Sequence, residues 1–214
     1  MSLLRFTHIV SGTILYDGVD ITKVPRRRLR QALTIIPQEA VLFNGTIDSN
    51  LDPTGKMPKE HLQNAIDSCQ GIASFQFHRD SEGRNGQDGH SHEDTGSSST
   101  VTEEDAVPQA NGKAPTGTGL TLSTKVNQKG ENFSHGQRQV LSLCRALVRK
   151  SRVMLLDEAT ASMDYETDRG IQEVLRRELE ATDGDRTLVT IAHRLRTIID
   201  YDTIVVMANG KTAE

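Results

Sequence analysis

The stretch FSHGQRQVLSLCRALVRKSRVMLLDEATASMD, residues 133–164, decides the architecture. Ser134 is a strong helix-capping type, and Val140, Leu141, Leu143, Cys144, Leu147 and Val148 follow at the spacing of an amphipathic helix. Residues 153–156 then form an unbroken apolar run, the pattern of a strand covered on both faces of a parallel sheet. Asp157 and Glu158 come directly after it. In open α/β sheets ligands bind at the carboxyl ends of strands. Two adjacent carboxylates there are costly unless a cation or a proton-transfer role compensates. Neighbouring side chains at a strand end diverge, so Asp157 is a candidate for approaching a cation and Glu158 for polarising an attacking water. For this dipeptide alone, an acidic pair opening a helix is an equal reading. Ser134-His135-Gly136-Gln137 alone likewise says only that a helix is capped, although its free N–H groups and dipole suit an anionic group and Gly136 permits close approach.

Outward from this stretch the pattern alternates. Ile171, Val174, Leu175 and Leu179 mark a second helix, with Asp164, Glu166 and Asp168 near its start, where the dipole favours anions. Residues 187–192 read as a second buried strand and 203–207 as a third. Strand–helix–strand alternation predicts an α/β sheet with right-handed crossovers. Upstream, residues 3–10 read as the end of a helix, 13–16 as a strand and Asp17-Gly18 as a turn. Residues 26–30 form a basic helical patch, and 33–36 a short β-branched run stopped by Pro37. Leu62, Ala65, Ile66 and Cys69 share one face of a further helix.

Composition sets limits. A chain of 214 residues is long enough for one domain with a substantial core. The segment 79–119 holds 8 acidic and 3 basic residues, so it accounts for the net charge of −4. The near-neutral remainder gives no electrostatic footprint for nucleic acid. Between Gly83 and Thr100 this segment has no Ala, Val, Ile, Leu, Met, Phe or Tyr. It reads as a disordered acidic insertion, either a tolerated surface loop or, through Ser97, Ser98, Ser99 and Thr100, a regulatory one. There is no run of about 18 apolar residues and no basic-then-apolar secretory pattern at Met1. A membrane link is therefore expected through a partner or through further chain. Cys69 and Cys144, both in helical patterns, read as buried free thiols.

Taken together these residues resemble the ATP-binding-cassette family. Ser134-His135-Gly136-Gln137 is similar to its signature motif, and Val153-Met154-Leu155-Leu156-Asp157-Glu158 to its Walker B strand. Ala159-Thr160-Ala161-Ser162-Met163-Asp164 resembles the D-loop region, Ile191-Ala192-His193-Arg194 the switch-histidine segment, and Ile36-Pro37-Gln38 the Q-loop. Gly45-Thr46-Ile47 with Ser49-Asn50-Leu51-Asp52-Pro53, and Gly130-Glu131-Asn132-Phe133, resemble the second nucleotide-binding domain of the multidrug-resistance-associated (C) subfamily. The insertion resembles that of fungal vacuolar members.

The resemblance implies a P-loop-type α/β core with a helical subdomain between about residues 38 and 149. It implies ATP and Mg²⁺, with Asp157 and Gln38 on the metal side and Glu158, His193 and Gln38 as the catalytic set. Ser134, His135, Gly136, Gln137, Asp164 and His193 would contact ATP, the signature serving a nucleotide held by the opposite domain. The implied partners are that opposite domain and transmembrane domains. The implied place is the cytoplasmic face of a vacuolar or plasma membrane, and the implied work is export of organic anions or conjugates. His135 stands where the signature usually has glycine, which suggests the less active of two composite sites. No G-x-x-x-x-G-K-[ST] loop occurs in the sequence. Residues 1–214 are therefore expected to be a partial domain lacking the N-terminal strands and Walker A loop, with little ATPase activity alone. The rival readings are a non-enzymatic remnant that only offers its signature, and the chromosome-maintenance and DNA-repair ATPases. The latter carry long coiled coils, for which no heptads are present here.

Overall fold

In the computed structural model, residues 1–75, 120–182, 185–192 and 194–213 are described. In chain order the elements are β1 (Leu15–Tyr16), β2 (Val19–Asp20), α1 (Arg26–Ala32), β3 (Leu33–Ile36), β4 (Gly45–Thr46), α2 (Ile47–Leu51), α3 (Lys59–Ser68), β5 (Lys125–Val126), α4 (His135–Arg149), β6 (Val153–Asp157), α5 (Tyr165–Glu180), β7 (Thr187–Ile191), α6 (Leu195–Ile198), β8 (Met207–Ala208) and β9 (Lys211–Thr212). The insertion expected at 79–119 and His193 lie outside the described residues.

The central layer is a parallel sheet in the order β3-β6-β7. Leu33 to Ile36 run in register with Val153 to Leu156, and Val153 to Asp157 with Thr187 to Ile191. Short β-branched and aliphatic runs suit these positions because both faces of β6 are covered. Met154, Leu155 and Leu156 are all buried. α4 and α5 supply one covering layer, packing Val140, Leu143, Leu147, Ile171, Val174 and Leu175 into the main core. On the other face Leu155 joins a smaller cluster with Leu4, Ile21, Leu29 and Leu33.

The helical subdomain stands on α4. α3 packs Leu62, Ala65 and Ile66 into the same core. The Sγ atoms of Cys69 and Cys144 meet at 3.3 Å as buried free thiols, as the sequence predicts. Arg145 donates to the carbonyl of Asn50 at 2.8 Å and to that of Val41 at 3.1 Å. Buried Asn50 in turn accepts from Phe43 N and donates to Phe43 O, both at 2.8 Å. One cation thus fixes the chain that leads from β3 to α2. The Asp17-Gly18 turn is a hairpin with both residues at positive φ, 49° and 75°, the geometry for which Asp-Gly is favoured.

Three sequence expectations are corrected. Residues 3–10 form a single 3-10 turn, Ser2–Leu4, closed by Arg5 in the left-handed region at φ 53°. Strand 187–192 is half-exposed rather than buried, with Val189 and Ile191 at 42% and 55% exposure. Residues 203–206 join no sheet, and only Met207 pairs, in the β8–β9 hairpin. The last two share one cause: among the described residues nothing pairs with the far edge of β7. The apolar run 203–206 therefore has no sheet surface to cover.

Candidate functional site

The carboxyl edge of the parallel sheet carries the site. β6 ends at Asp157, opposite Ile191 of β7. The chain then turns sharply at Glu158, which has φ 48°. A non-glycine residue in that region is strained, and such strain persists only where surrounding contacts impose it. Here Glu158 N donates to Ile191 O at 3.1 Å, and Glu158 O accepts from Ala161 N at 3.0 Å. The turn presents the Glu158 carboxylate beside β3, where Gln38 Nε2 donates to Glu158 Oε2 at 3.3 Å. Two residues 120 positions apart are thereby joined. A small cleft of about 60 Å³ lies behind Glu158, lined also by Ala159, Thr160, Ala192 and Arg194.

The signature-like residues occupy the N-terminus of α4 in a reciprocal capping box. Ser134 Oγ accepts from Gln137 N at 3.1 Å, and Gln137 Oε1 accepts from Ser134 N at 3.0 Å. Among the described residues, the backbone N–H groups of His135 and Gly136 have no hydrogen-bond partner. A Cβ on Gly136 would lie 3.0 Å from Ser74 Oγ, so the close approach here is made by the 72–75 segment of the same chain. His135 lines a different depression, of about 490 Å³, with Glu39, Lys129, Glu131 and Arg138. Asp164 caps α5: its Oδ1 accepts from Thr167 N at 2.9 Å. That backbone bond holds its carboxyl below the usual carboxylate range. Gln38, Asp157 and Glu158 thus share one edge, while His135 faces a separate depression.

Two residues, Gln139 and Arg194, are given no role by the sequence. Gln139 is 2% exposed, and its Nε2 donates to Pro37 O, Gln38 O and Ala159 O at 3.1, 2.8 and 2.7 Å. Its signal was available: an amide one position before Val140, with Leu143 four positions on, on the apolar face of α4. Arg194 pairs with buried Asp168 at 3.2 Å and donates to the carbonyls of Ala161 and Met163 at 3.2 and 2.9 Å. The guanidinium fixes the loop between β6 and α5 to the chain leaving β7. Asp168, which the sequence marks only as an acid near the helix start where the dipole favours anions, is 1% exposed.

The donor set suits a hard cation. Asp157 and Gln38 offer oxygen ligands, and magnesium takes only one or two such protein ligands, with phosphate and water oxygens completing its shell. One parallel strand, β6, ends at the acidic pair Asp157-Glu158, close to a capped helix N-terminus, the edge at which open α/β sheets bind their ligands.

Comparison with known proteins agrees. The family model described as ABC transporter matches residues 1–161. The ATP-dependent bile acid permease of Saccharomyces cerevisiae is 38% identical over 213 residues, covering all of this chain and 11% of the permease. Bile pigment transporter 1 of the same yeast is 37% identical over 214 residues, again covering the whole chain and 12% of the relative. A solved bacterial Atm1-family ABC exporter with ATP bound superposes with a TM-score of 0.69 at 30% identity, over 100% of this chain and 30% of that one. The chain belongs to the ABC transporter family, and its fold is that family's mixed α/β ATPase domain. It spans about an eighth or less of the length of these curated relatives.

Proposed function

We propose that this chain forms part of the ATP-hydrolysing domain of a membrane exporter, with Glu158 positioning the attacking water. The observation that carries the reading is the Gln38–Glu158 hydrogen bond of 3.3 Å at the carboxyl edge of the sheet. Phosphoryl transfer to water needs chiefly positioning and electrostatic stabilisation. The Glu158 carboxylate accepts a hydrogen bond from the O–H of the attacking water on one side, while Gln38 orients that water from the other. Asp157 and Gln38 would hold magnesium, which would supply charge neutralisation at the phosphate oxygens. His193 would donate to the terminal phosphate from the end of β7. Ser134, His135, Gly136, Gln137 and Asp164 would serve ATP held by an opposite nucleotide-binding domain.

The finer reading is the second nucleotide-binding domain of a C-subfamily exporter of organic anions or conjugates, on the cytoplasmic face of a vacuolar or plasma membrane. The similarity to relatives named as bile acid and bile pigment transporters supports that substrate class. A second reading has one observation in its favour. Residues 1–214 contain no G-x-x-x-x-G-K-[ST] loop; on this second reading they present their signature to a nucleotide held by a partner.

The test is made in the full-length transporter. Glu158→Gln is expected to retain ATP binding and slow hydrolysis roughly 10²–10³-fold, the scale of losing a positioned base or stabiliser. Asp157→Asn is expected also to weaken the trapped, metal-dependent ATP state. Trapping of labelled nucleotide and steady-state turnover are measured side by side. Equal, mild effects of both substitutions would make the pair a structural strand end and overturn the assignment.

A further inference from the structure

The side chain of Gln139 is the meeting point of three segments of the candidate site. It rises from the second turn of α4, five positions after Ser134, and is 2% exposed. Its amide nitrogen faces three backbone carbonyls: Pro37 and Gln38, which follow β3, and Ala159, which follows Glu158. An NH₂ group has two hydrogens, so at least one of them is shared between two carbonyls. The three carbonyls also fix which way the amide points, because its oxygen would be repelled in their place. That oxygen, Oε1, is buried without a hydrogen-bond partner in the described structure. Burying an unpaired amide oxygen is unfavourable. Its retention shows how strongly the three carbonyls dictate the orientation.

The consequence lies in what these carbonyls belong to. Gln38 and Glu158 meet through an exposed side-chain contact of 3.3 Å. Two exposed flexible side chains hold such a contact poorly by themselves. Here the backbone of Gln38 and the residue next to Glu158 are pinned to one buried nitrogen, at 2.8 and 2.7 Å. The spacing of the two side chains is inherited from that pin. Because Gln139 is part of α4, a shift of the 37–38 segment is passed to the helix whose first turn bears Ser134 and Gly136.

We propose that Gln139 is a positioning residue for ATP hydrolysis: it sets the Gln38–Glu158 geometry and couples it to the N-terminus of α4. The inference rests on the reading of Glu158 as the water-positioning group. It concerns a residue that touches no substrate, so its effect must pass through Gln38 and Glu158.

The experiment uses the full-length transporter and MgATP. Gln139→Met keeps the side chain's length and apolar packing and removes the donor. It is expected to lower kcat roughly 10–100-fold, the scale of a small misplacement of catalytic groups, with KM for ATP changed less than about threefold. Gln38→Ala is measured alone and with Gln139→Met. If Gln139 acts through Gln38, the double variant falls little below the worse single one. Multiplicative losses, or a loss confined to protein yield, would make Gln139 a packing residue only and overturn the inference. Should the methionine variant fail to assemble, Gln139→Glu, of the same shape but without the amide donor, must show the same kcat-confined, non-additive loss. Glu158→Gln is run in parallel. If it leaves turnover intact, the catalytic reading of the site is at fault. If it abolishes turnover while the Gln139 variants behave as wild type, the present inference alone fails.

Discussion

Glu158 holds a backbone conformation that a glycine would adopt more easily, at φ 48°. For a residue with a Cβ, the left-handed region costs about 1–2 kcal/mol. The position therefore sacrifices stability to aim a carboxylate along the sheet edge. Glu158→Gly is expected to give a transporter at least as abundant and as heat-resistant as wild type, yet without turnover. A glycine variant that is markedly less stable would show that the carboxylate itself holds the turn together. The strain was invisible in the sequence, where Asp157-Glu158 reads simply as two acids after a strand. Their chemistry could be read from composition and position. The direction in which Glu158 points depends on the Ile191 carbonyl and the Gln38 side chain, both brought in from far along the chain.

At the scale of elements, periodicity carried most of the information. α3 and α4 bury their predicted apolar sets, and α5 buries Ile171, Val174 and Leu175 of its set, in one core. β6 is buried on both faces, Met154 and Leu156 in that core and Leu155 in the smaller cluster. The pattern was less informative at the C-terminal end. An apolar run such as 203–207 states that something should cover it, and not which neighbour does. The Arg194–Asp168 tie was equally hidden, since it joins α5's first turns to the chain beyond β7. Asp168 is buried, its Oδ1 has no hydrogen-bond partner in the described structure, and its Oδ2 pairs with Arg194. Arg194→Met leaves that carboxylate uncompensated. Amide hydrogen exchange in peptides covering residues 159–168 is then expected to speed up about tenfold or more, matching the roughly 1.5–3 kcal/mol of one charge-assisted hydrogen bond. Unchanged exchange there would show that the loop is held by its own turns.

At the scale of the molecule, the parallel sheet among the described residues ends at β7, where Val189 and Ile191 are exposed and Ile204, Val205 and Val206 lie exposed nearby in sequence. An open apolar strand edge is a template for association. A polypeptide of residues 1–214 alone is expected to form sedimenting aggregates, and its soluble fraction to hydrolyse no ATP above background. Sedimentation and a phosphate-release assay check both statements. A monodisperse preparation with turnover near the enzyme-typical 1 per second or faster, abolished by Glu158→Gln, would contradict them. The thiol pair between α3 and α4 has a practical consequence of another kind. The chain has two cysteines, both fully enclosed, and burial pushes the Cys144 thiol well above its ordinary ionisation range. Maleimide and nitroxide reagents attack accessible thiolates. One cysteine engineered on the surface of this domain can therefore carry a fluorophore or spin label selectively, with the native pair left in place as silent background.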